Sequence, residues 1–211
     1  MPLGIGAHLA GWGVPEDRIT ELDWWQETDV AGVRIVSTPS RHASGRLSAR
    51  SNLTLWTGYA ILGPAHRAFY SGDTGMNDTF ADVGARFGPF DVTLVEAGQY
   101  DPQWPDWHLG PEQAVRVHEQ VRGRTLIPVH WGLIKLAHHA WTEPPERILA
   151  AARCGHVDVL IPKPGQALEP TTHPAVARWW PPQPWFTGAQ HPIVASRHGN
   201  PDDLFAVPRC S

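Results

Sequence analysis

The chain has 211 residues, of which 42% are hydrophobic and 18% are charged, so it can bury one substantial core and is not disordered throughout. Seventeen Lys and Arg residues against 21 Asp and Glu residues give a formal net charge of −4. Because this balance leaves no basic surplus to hold a phosphate backbone, we expect no nucleic-acid partner.

The cysteine and hydropathy patterns exclude further classes. The two cysteines, Cys154 and Cys210, lie far apart and form no C-x-x-C pair, which predicts neither a disulfide framework nor a cysteine zinc site. The first residues carry no basic leader, and no later run approaches the ~18 apolar residues of a membrane span. We therefore expect a cytoplasmic protein without a transmembrane segment.

Short apolar runs alternate with amphipathic stretches between residues 31 and 162, a pattern typical of α/β folds. Runs rich in β-branched and aromatic residues predict strands at 32–38, 53–62, 67–71, 92–97, 126–129 and 157–161. Stretches with helical periodicity and flanking Pro or Gly predict helices at 77–87, 111–121 and 145–153.

The two ends of the chain differ from this middle part. Residues 1–30 are rich in Gly and Trp and predict a loop with a short strand that leads into the sheet. After Pro170 the sequence is rich in Pro, Trp and His and has no periodicity. We therefore divide the chain into residues 1–170, which form the folded domain, and residues 171–211, an irregular tail.

Three of the predicted strands are followed by a residue that can bind a metal ion. These residues are His42, Asp73 and His130. Loops at one edge of an α/β sheet bring distant residues together, because the strands that carry them are rigid. Two imidazoles and one carboxylate suit zinc or iron. Taken singly, each residue is equally consistent with an ordinary turn or helix cap.

A long polar and aromatic loop, residues 98–110, follows the fourth predicted strand, and loops of this length are usually functional. His108 in this loop is a candidate for proton transfer or for a position just behind a metal, but a hydrogen bond at the start of the next helix explains it equally well. Several tryptophans near these loops form either a groove for an apolar substrate or ordinary packing. They are Trp56, Trp104, Trp107, Trp131 and Trp141.

Several strings together resemble one known family. They are Thr38-Pro39-Ser40-Arg41-His42, Phe69-Tyr70-Ser71-Gly72-Asp73-Thr74-Gly75, Tyr100-Asp101-Pro102 with Trp104, His108 with Pro111-Glu112-Gln113-Ala114-Val115, and Ile127-Pro128-Val129-His130-Trp131-Gly132. The sequence resembles the metallo-β-lactamase superfamily, and within it the N-acylphosphatidylethanolamine-hydrolysing phospholipase D proteins and their bacterial relatives. The resemblance runs in family order from about Pro2 to Trp180.

The resemblance implies an α/β fold, an αββα sandwich with a two-metal site at one edge of its paired sheets. By motif match, His42 is a ligand of the first metal, Asp73 bridges both metals, and His130 is a ligand of the second. Asp73 and His108 are then the catalytic residues. The implied cofactor is Zn²⁺, two ions per complete domain, with iron or manganese as alternatives. The implied reaction is hydrolysis of a small-molecule or phospholipid-like diester by a hydroxide that bridges the metals.

The sequence departs from the family in one respect. The family motif His-x-His-x-Asp-His is absent, because no two histidines here are separated by one residue. We therefore expect an N-terminally incomplete domain, produced by a truncated gene model or a degraded gene. Such a chain is expected to bind zinc poorly and to leave an apolar sheet face uncovered, which favours aggregation or a homo-oligomer.

Other functions remain open at this stage. A lactonase-type metallohydrolase uses the same ligands, and a fragment that retains half the fold is either a non-catalytic remnant or an interaction module. The segment Asp73-Thr74-Gly75 also matches the D-T-G of retropepsin-like aspartic proteases. That interpretation leaves His42 and His130 without a role, so we favour metal-dependent hydrolysis.

Overall fold

The computed structural model describes residues 1–45, 52–172 and 176–208. Among these residues, seven strands form one mixed sheet in the order β1-β2-β3-β4-β5-β6-β7. The strands are β1 Glu27–Val30, β2 Val33–Pro39, β3 Thr57–Leu62, β4 Arg67–Tyr70, β5 Phe90–Glu96, β6 Gly123–Val129 and β7 Asp158–Val159. Strands β1 to β4 pair antiparallel, and β4 to β7 pair parallel.

Three helices cover one face of this sheet within the described residues. They are α2 Phe80–Phe87, α3 Pro111–Gln120 and α4 Glu143–Gly155, and a short helix, α1 Gly6–Gly11, precedes the sheet. The core lies between the helices and the side chains that alternate toward them from the strands, such as Val36, Phe69 and Leu126. The mixed α/β fold class is therefore confirmed, and each predicted strand and helix has a counterpart.

The opposite face of the sheet carries apolar side chains that remain partly exposed. Tyr59 lies opposite Tyr70, Tyr70 opposite Leu94, and Leu94 opposite Ile127 in the strand register. These side chains therefore point to one side, and Tyr70 is 38% exposed. In the part of the chain that the structure describes, this row is therefore partly in contact with solvent.

The C-terminal part of the chain folds back onto the helical face. Most of it has no regular structure, but β8 Ser196–Arg197 and β9 Asn200–Leu204 form a small antiparallel hairpin. Trp180, Ala195 and Phe205 belong to the same buried cluster as the core of the sheet. This segment therefore contributes to the core although its sequence has no periodicity.

Two findings concern expectations about the cysteines and the membrane. Cys154 lies near the end of α4. Cys210 lies outside the described residues. In the parts of the chain that the structure describes, no helix combines the length and apolar character needed to cross a bilayer.

Candidate metal centre

The chain direction brings the candidate residues to one edge of the sheet. Strand β2 runs antiparallel to β3, and β3 runs antiparallel to β4, so β2 runs parallel to β4, β5 and β6. The carboxyl ends of these strands therefore meet at the same edge. His42 follows β2, Asp73 follows β4, Glu96 ends β5 and His130 follows β6.

Glycines allow the loops at this edge to approach closely. Gly72, just before Asp73, has φ of +63°, and a Cβ atom there would lie 2.3 Å from the carbonyl oxygen of Thr57. A Cβ atom on Gly98 would lie 2.0 Å from the carbonyl oxygen of His130. Because L-residues with a side chain do not fit at either position, the Gly residues of these motifs are steric requirements of the site.

The structure brings His42, Asp73, His108 and His130 together. The Nε2 atoms of His42 and His108 are 3.4 Å apart, and the imidazole centroids of His108 and His130 are 5.3 Å apart. Nε2 of His130 lies 3.1 Å from Oδ2 of Asp73. These contacts link the four predicted residues in a row, from His42 through His108 and His130 to Asp73. The three residues whose potential ligand atoms all lie within 4.8 Å of one another are Glu96, His108 and His130.

The hydrogen bonds of two imidazoles show where their lone pairs point. Nδ1 of His42 lies 2.8 Å from the carbonyl oxygen of Ala43, which only accepts, so Nδ1 carries the proton. Nδ1 of His108 lies 2.9 Å from Oε2 of Glu96, a carboxylate that also accepts. The two Nε2 atoms thus direct lone pairs toward each other, an arrangement that a cation between or beside them stabilises.

Glu96 was not identified from the sequence. It is fully buried, and its Oε1 accepts hydrogen bonds from the backbone N–H groups of Thr74 and Leu109, each at 3.0 Å. Like the other site residues, Glu96 stands at the end of an apolar strand and before a turn. The rule that selected His42, Asp73 and His130 would therefore have selected it too, had the rule been applied to the fourth run.

The electrostatics of His108 follow from these contacts. Burial lowers the pKa of His108, but the hydrogen bond and charge of Glu96, together with the charge of Asp73, outweigh burial and raise the pKa above its ordinary value. Asp73 itself is about half exposed, with 48% of its side chain accessible. The site is therefore open to solvent on the side of Asp73 and closed behind His108.

A cavity of about 490 Å³ opens beside His108. It has apolar and polar walls, formed by Gln99, Gln103, Trp104, Pro105, Asp106, Trp107, His108 and Leu136. Of the five tryptophans considered from the sequence, Trp104 and Trp107 thus line a groove. Trp131 and Trp141 pack against Trp179 instead.

Comparison with known proteins identifies the family of this chain. The family described as "Beta-lactamase superfamily domain" matches residues 1–131, which is more than half of the chain. The chain belongs to this family. It is a family of metal-dependent hydrolases, and the edge of the sheet described above is where this chain carries its metal-ligand types.

Relatives extend the comparison beyond the family match. An uncharacterized protein of Mycobacterium tuberculosis is 51% identical over 183 residues, covering 85% of this chain and 49% of the relative. The N-acyl-phosphatidylethanolamine-hydrolyzing phospholipase D 1 of Caenorhabditis elegans is 34% identical over 142 residues, covering 63% and 40%. The chain therefore spans about half the length of the curated relatives it matches.

The fold is shared with solved structures. A metallo hydrolase of the archaeon Ignicoccus hospitalis aligns with a TM-score of 0.58 and 19% identity, covering 77% of this chain and 64% of that one. At this identity the likeness concerns the fold alone. It agrees with the mixed sheet and flanking helices described above.

Proposed function

We propose that this chain is the part of a metal-dependent phosphodiester hydrolase that carries the substrate groove and one side of the metal centre. The observation that carries the proposal is that His108 joins three features: its Nε2 atom faces that of His42, its ring lies against His130, which contacts Asp73, and its side chain lines a partly apolar cavity. Each of these features has a use in phosphodiester hydrolysis, and together they have no evident structural one.

The donor set fits a divalent cation. His42, Asp73 and His130 would hold it, because neutral imidazole nitrogen and carboxylate oxygen are ligands that zinc, iron and manganese accept. A cation bound there would supply Lewis-acid stabilisation of the negative charge that develops on a phosphoryl oxygen. The hydrogen bond from Nδ1 of His42 to Ala43 orients the imidazole for this role.

His108 is the proposed proton-transfer residue. Its Nε2 atom faces the same volume as the ligands, and its ring lies against the cavity that contains Trp104 and Trp107. A diester bound in the cavity would place its leaving oxygen within hydrogen-bond reach of this imidazole. An imidazole with a free lone pair on Nε2 can take up a proton there from the attacking water and then pass it to the leaving oxygen.

The substrate class follows from the cavity and from similarity. Aromatic and aliphatic side chains on its wall suit an acyl chain, whereas the amide of Gln103 suits a polar head group. The similarity to a phospholipase D of Caenorhabditis elegans supports the same class. We therefore propose a phospholipid-like diester as substrate.

Two alternatives retain specific support. A lactonase-type hydrolase would use the same ligands, and the polar half of the cavity wall would accept a lactone ring. A non-catalytic module is consistent with the small number of ligands among the described residues. We do not favour the aspartic-protease interpretation, because Asp73-Thr74-Gly75 lies within the matched β-lactamase superfamily domain.

The test compares substrates on the purified chain and on a product extended by upstream coding sequence. We expect zinc-dependent release of phosphatidate from an N-acylated phosphatidylethanolamine, abolished by a chelator and by Asp73→Asn. Asp82→Asn, an exposed carboxylate on α2, is the matched control and should retain activity. Hydrolysis of an acyl lactone without hydrolysis of the diester, in either form, would contradict the proposal.

A further inference from the structure

The buried carboxylate of Glu96 contacts both parts of the site that lie on loops. Its Oε1 accepts the N–H of Thr74, the residue after Asp73, and the N–H of Leu109, the residue after His108. Its own N–H donates to Oγ of Ser71 at 3.0 Å. Glu96 thus fixes the backbone on the C-terminal side of two site residues from one rigid strand end.

The second carboxylate oxygen of Glu96, Oε2, contacts the imidazole of His108. Oε2 lies 2.9 Å from Nδ1 of His108, and the Glu96 side chain is fully shielded from solvent. An ionised carboxylate has no proton to donate, so the proton of this contact resides on the imidazole. The other ring nitrogen, Nε2, is then left with its lone pair facing His42.

We propose that Glu96 is a positioning residue that selects the Nδ1–H tautomer of His108 and aligns its Nε2 lone pair with the metal-ligand cluster. Oε1 accepts the backbone N–H groups of the two loops, and Oε2 accepts the hydrogen bond from Nδ1 of His108. The proposal deepens the function proposed above, since His108 can accept a proton or a cation at Nε2 only in this tautomer.

Glu96 could instead be a direct metal ligand, because its carboxylate lies with ligand atoms of His108 and His130 that are all within 4.8 Å of one another. The contacts favour the positioning role. The 2.9 Å separation between Oε2 and Nδ1 of His108 is a hydrogen-bond distance and leaves no room for an ion between those atoms. Oε1 already accepts two N–H groups.

The substitution Glu96→Gln separates the contact with the backbone N–H groups from the contact with Nδ1 of His108. The amide oxygen can still accept the two backbone N–H groups, and the reverse orientation would set an NH₂ group against both of them. The amide NH₂ must then face Nδ1 of His108, which becomes an acceptor. The proton should move to Nε2, so the variant should reverse the tautomer of His108 while the loops stay in place.

The tautomer can be read by long-range ¹H–¹⁵N NMR of the imidazole rings in the full, metal-free chain at about pH 9, where imidazoles are neutral. A His108→Gln spectrum identifies the His108 signals. We expect Nδ1–H in the wild type and in the exposed control Glu119→Gln, and Nε2–H in Glu96→Gln. Glu96→Ala should give a mixture of both tautomers.

Two results would overturn the proposal. One is an Nε2–H tautomer of His108 in the wild type. This measurement does not depend on whether a variant folds. The other is an unchanged Nδ1–H tautomer in a folded Glu96→Gln protein. No substrate or metal is present in this experiment, so its failure is distinguishable from failure of the hydrolase assay.

Discussion

Arg147, on α4, is almost completely buried and carries two carboxylate partners. Its Nε and Nη2 atoms bind the carboxylate of Glu112 at 2.9 and 2.6 Å, and Nη1 lies 3.4 Å from Glu143. Glu143 also accepts the hydroxyl of Tyr100 at 2.9 Å. Tyr100 begins the segment that leads to His108, so this buried network anchors the loop that carries His108 to the helices.

Removing the guanidinium of Arg147 should therefore lower the free energy of unfolding far more than removing a charge on the surface does. Arg147→Met leaves Glu112 and Glu143 buried without a counter-charge, and we expect a loss of about 3–5 kcal/mol in the free energy of unfolding. Urea denaturation measures it. The double variant Arg147→Met, Glu112→Gln should recover part of the loss. A loss below about 1 kcal/mol would show that the network contributes no more than an exposed ion pair.

The contact between α3 and β5 contains a buried histidine. Burial lowers the pKa of His118 to about 4, against the attraction of Asp158, and Nδ1 lies 2.7 Å from Oγ1 of Thr93. In the unfolded chain the pKa is about 6.5. Between these values the unfolded state binds more protons, so the stability that neutral His118 supports at pH 7 is lost as the pH falls.

The pH dependence can be assigned to this residue by substitution. Between pH 7 and pH 5 we expect His118 to remove about 2 kcal/mol from the free energy of unfolding. His118→Gln has no such proton to take up, so its stability should fall by that much less over the same range. Urea denaturation of both proteins at pH 7 and at pH 5 measures these losses. Equal losses in the two proteins would contradict the assignment.

The hairpin of β8 and β9 contacts the loops that carry His42 and His108. The carboxylate of Asp106 accepts the N–H and hydroxyl of Ser196 at 2.6 and 2.5 Å, and it pairs with Arg41 at 2.8 Å. Arg41 also donates to the backbone carbonyl of Ser196. The C-terminal segment thus contacts Arg41, next to His42, and Asp106, two residues before His108. The contacts cited involve none of the proposed metal ligands.

This connection predicts an effect on metal binding from a residue that is not a ligand. Asp106→Ala should weaken zinc binding by roughly 10- to 100-fold, because support behind metal ligands is worth about that much. The exposed Asp202→Ala is the control and should bind zinc as the wild type does. Calorimetric titration gives the affinities. Equal affinity in Asp106→Ala would show that the hairpin has no influence on the site.

At the scale of the whole molecule, the partly exposed apolar face of the sheet is a surface at which copies of the chain can associate. Tyr59, Tyr70, Leu94 and Ile127 form a row of partly exposed apolar side chains. Such faces associate unless another layer covers them. The expectation of self-association drawn from the sequence therefore acquires a specific surface.

A charge placed in this row should reduce association. We expect the wild type to sediment as a concentration-dependent mixture and Leu94→Lys to shift toward monomer, with little loss of stability because Leu94 is only partly buried. The exposed Leu133→Lys, outside the sheet, should leave the sedimentation profile unchanged. A monomeric wild type at all concentrations would contradict this role of the sheet face.

Sequence patterns predicted the strands and helices well because each has a strong period and clear Gly or Pro boundaries. They also pointed to His42, Asp73 and His130 through motifs placed just after strands, and to His108 through the long loop that precedes α3. Glu96 was missed although it meets the same strand-end rule, because the prediction at this strand was placed on His108 in the following loop. The C-terminal hairpin was missed because its strands are short and polar, and only tertiary contacts such as Asp106 with Ser196 stabilise them.

The central claim is that His42, Asp73 and His130 share a cation. Zinc titration calorimetry of the wild type and of the double variant His42→Ala, His130→Ala tests it most directly. The account predicts one site per chain in the wild type and at least a tenfold weaker affinity in the double variant, since both imidazole ligands are lost. Zinc binding of equal affinity in both proteins would contradict the account.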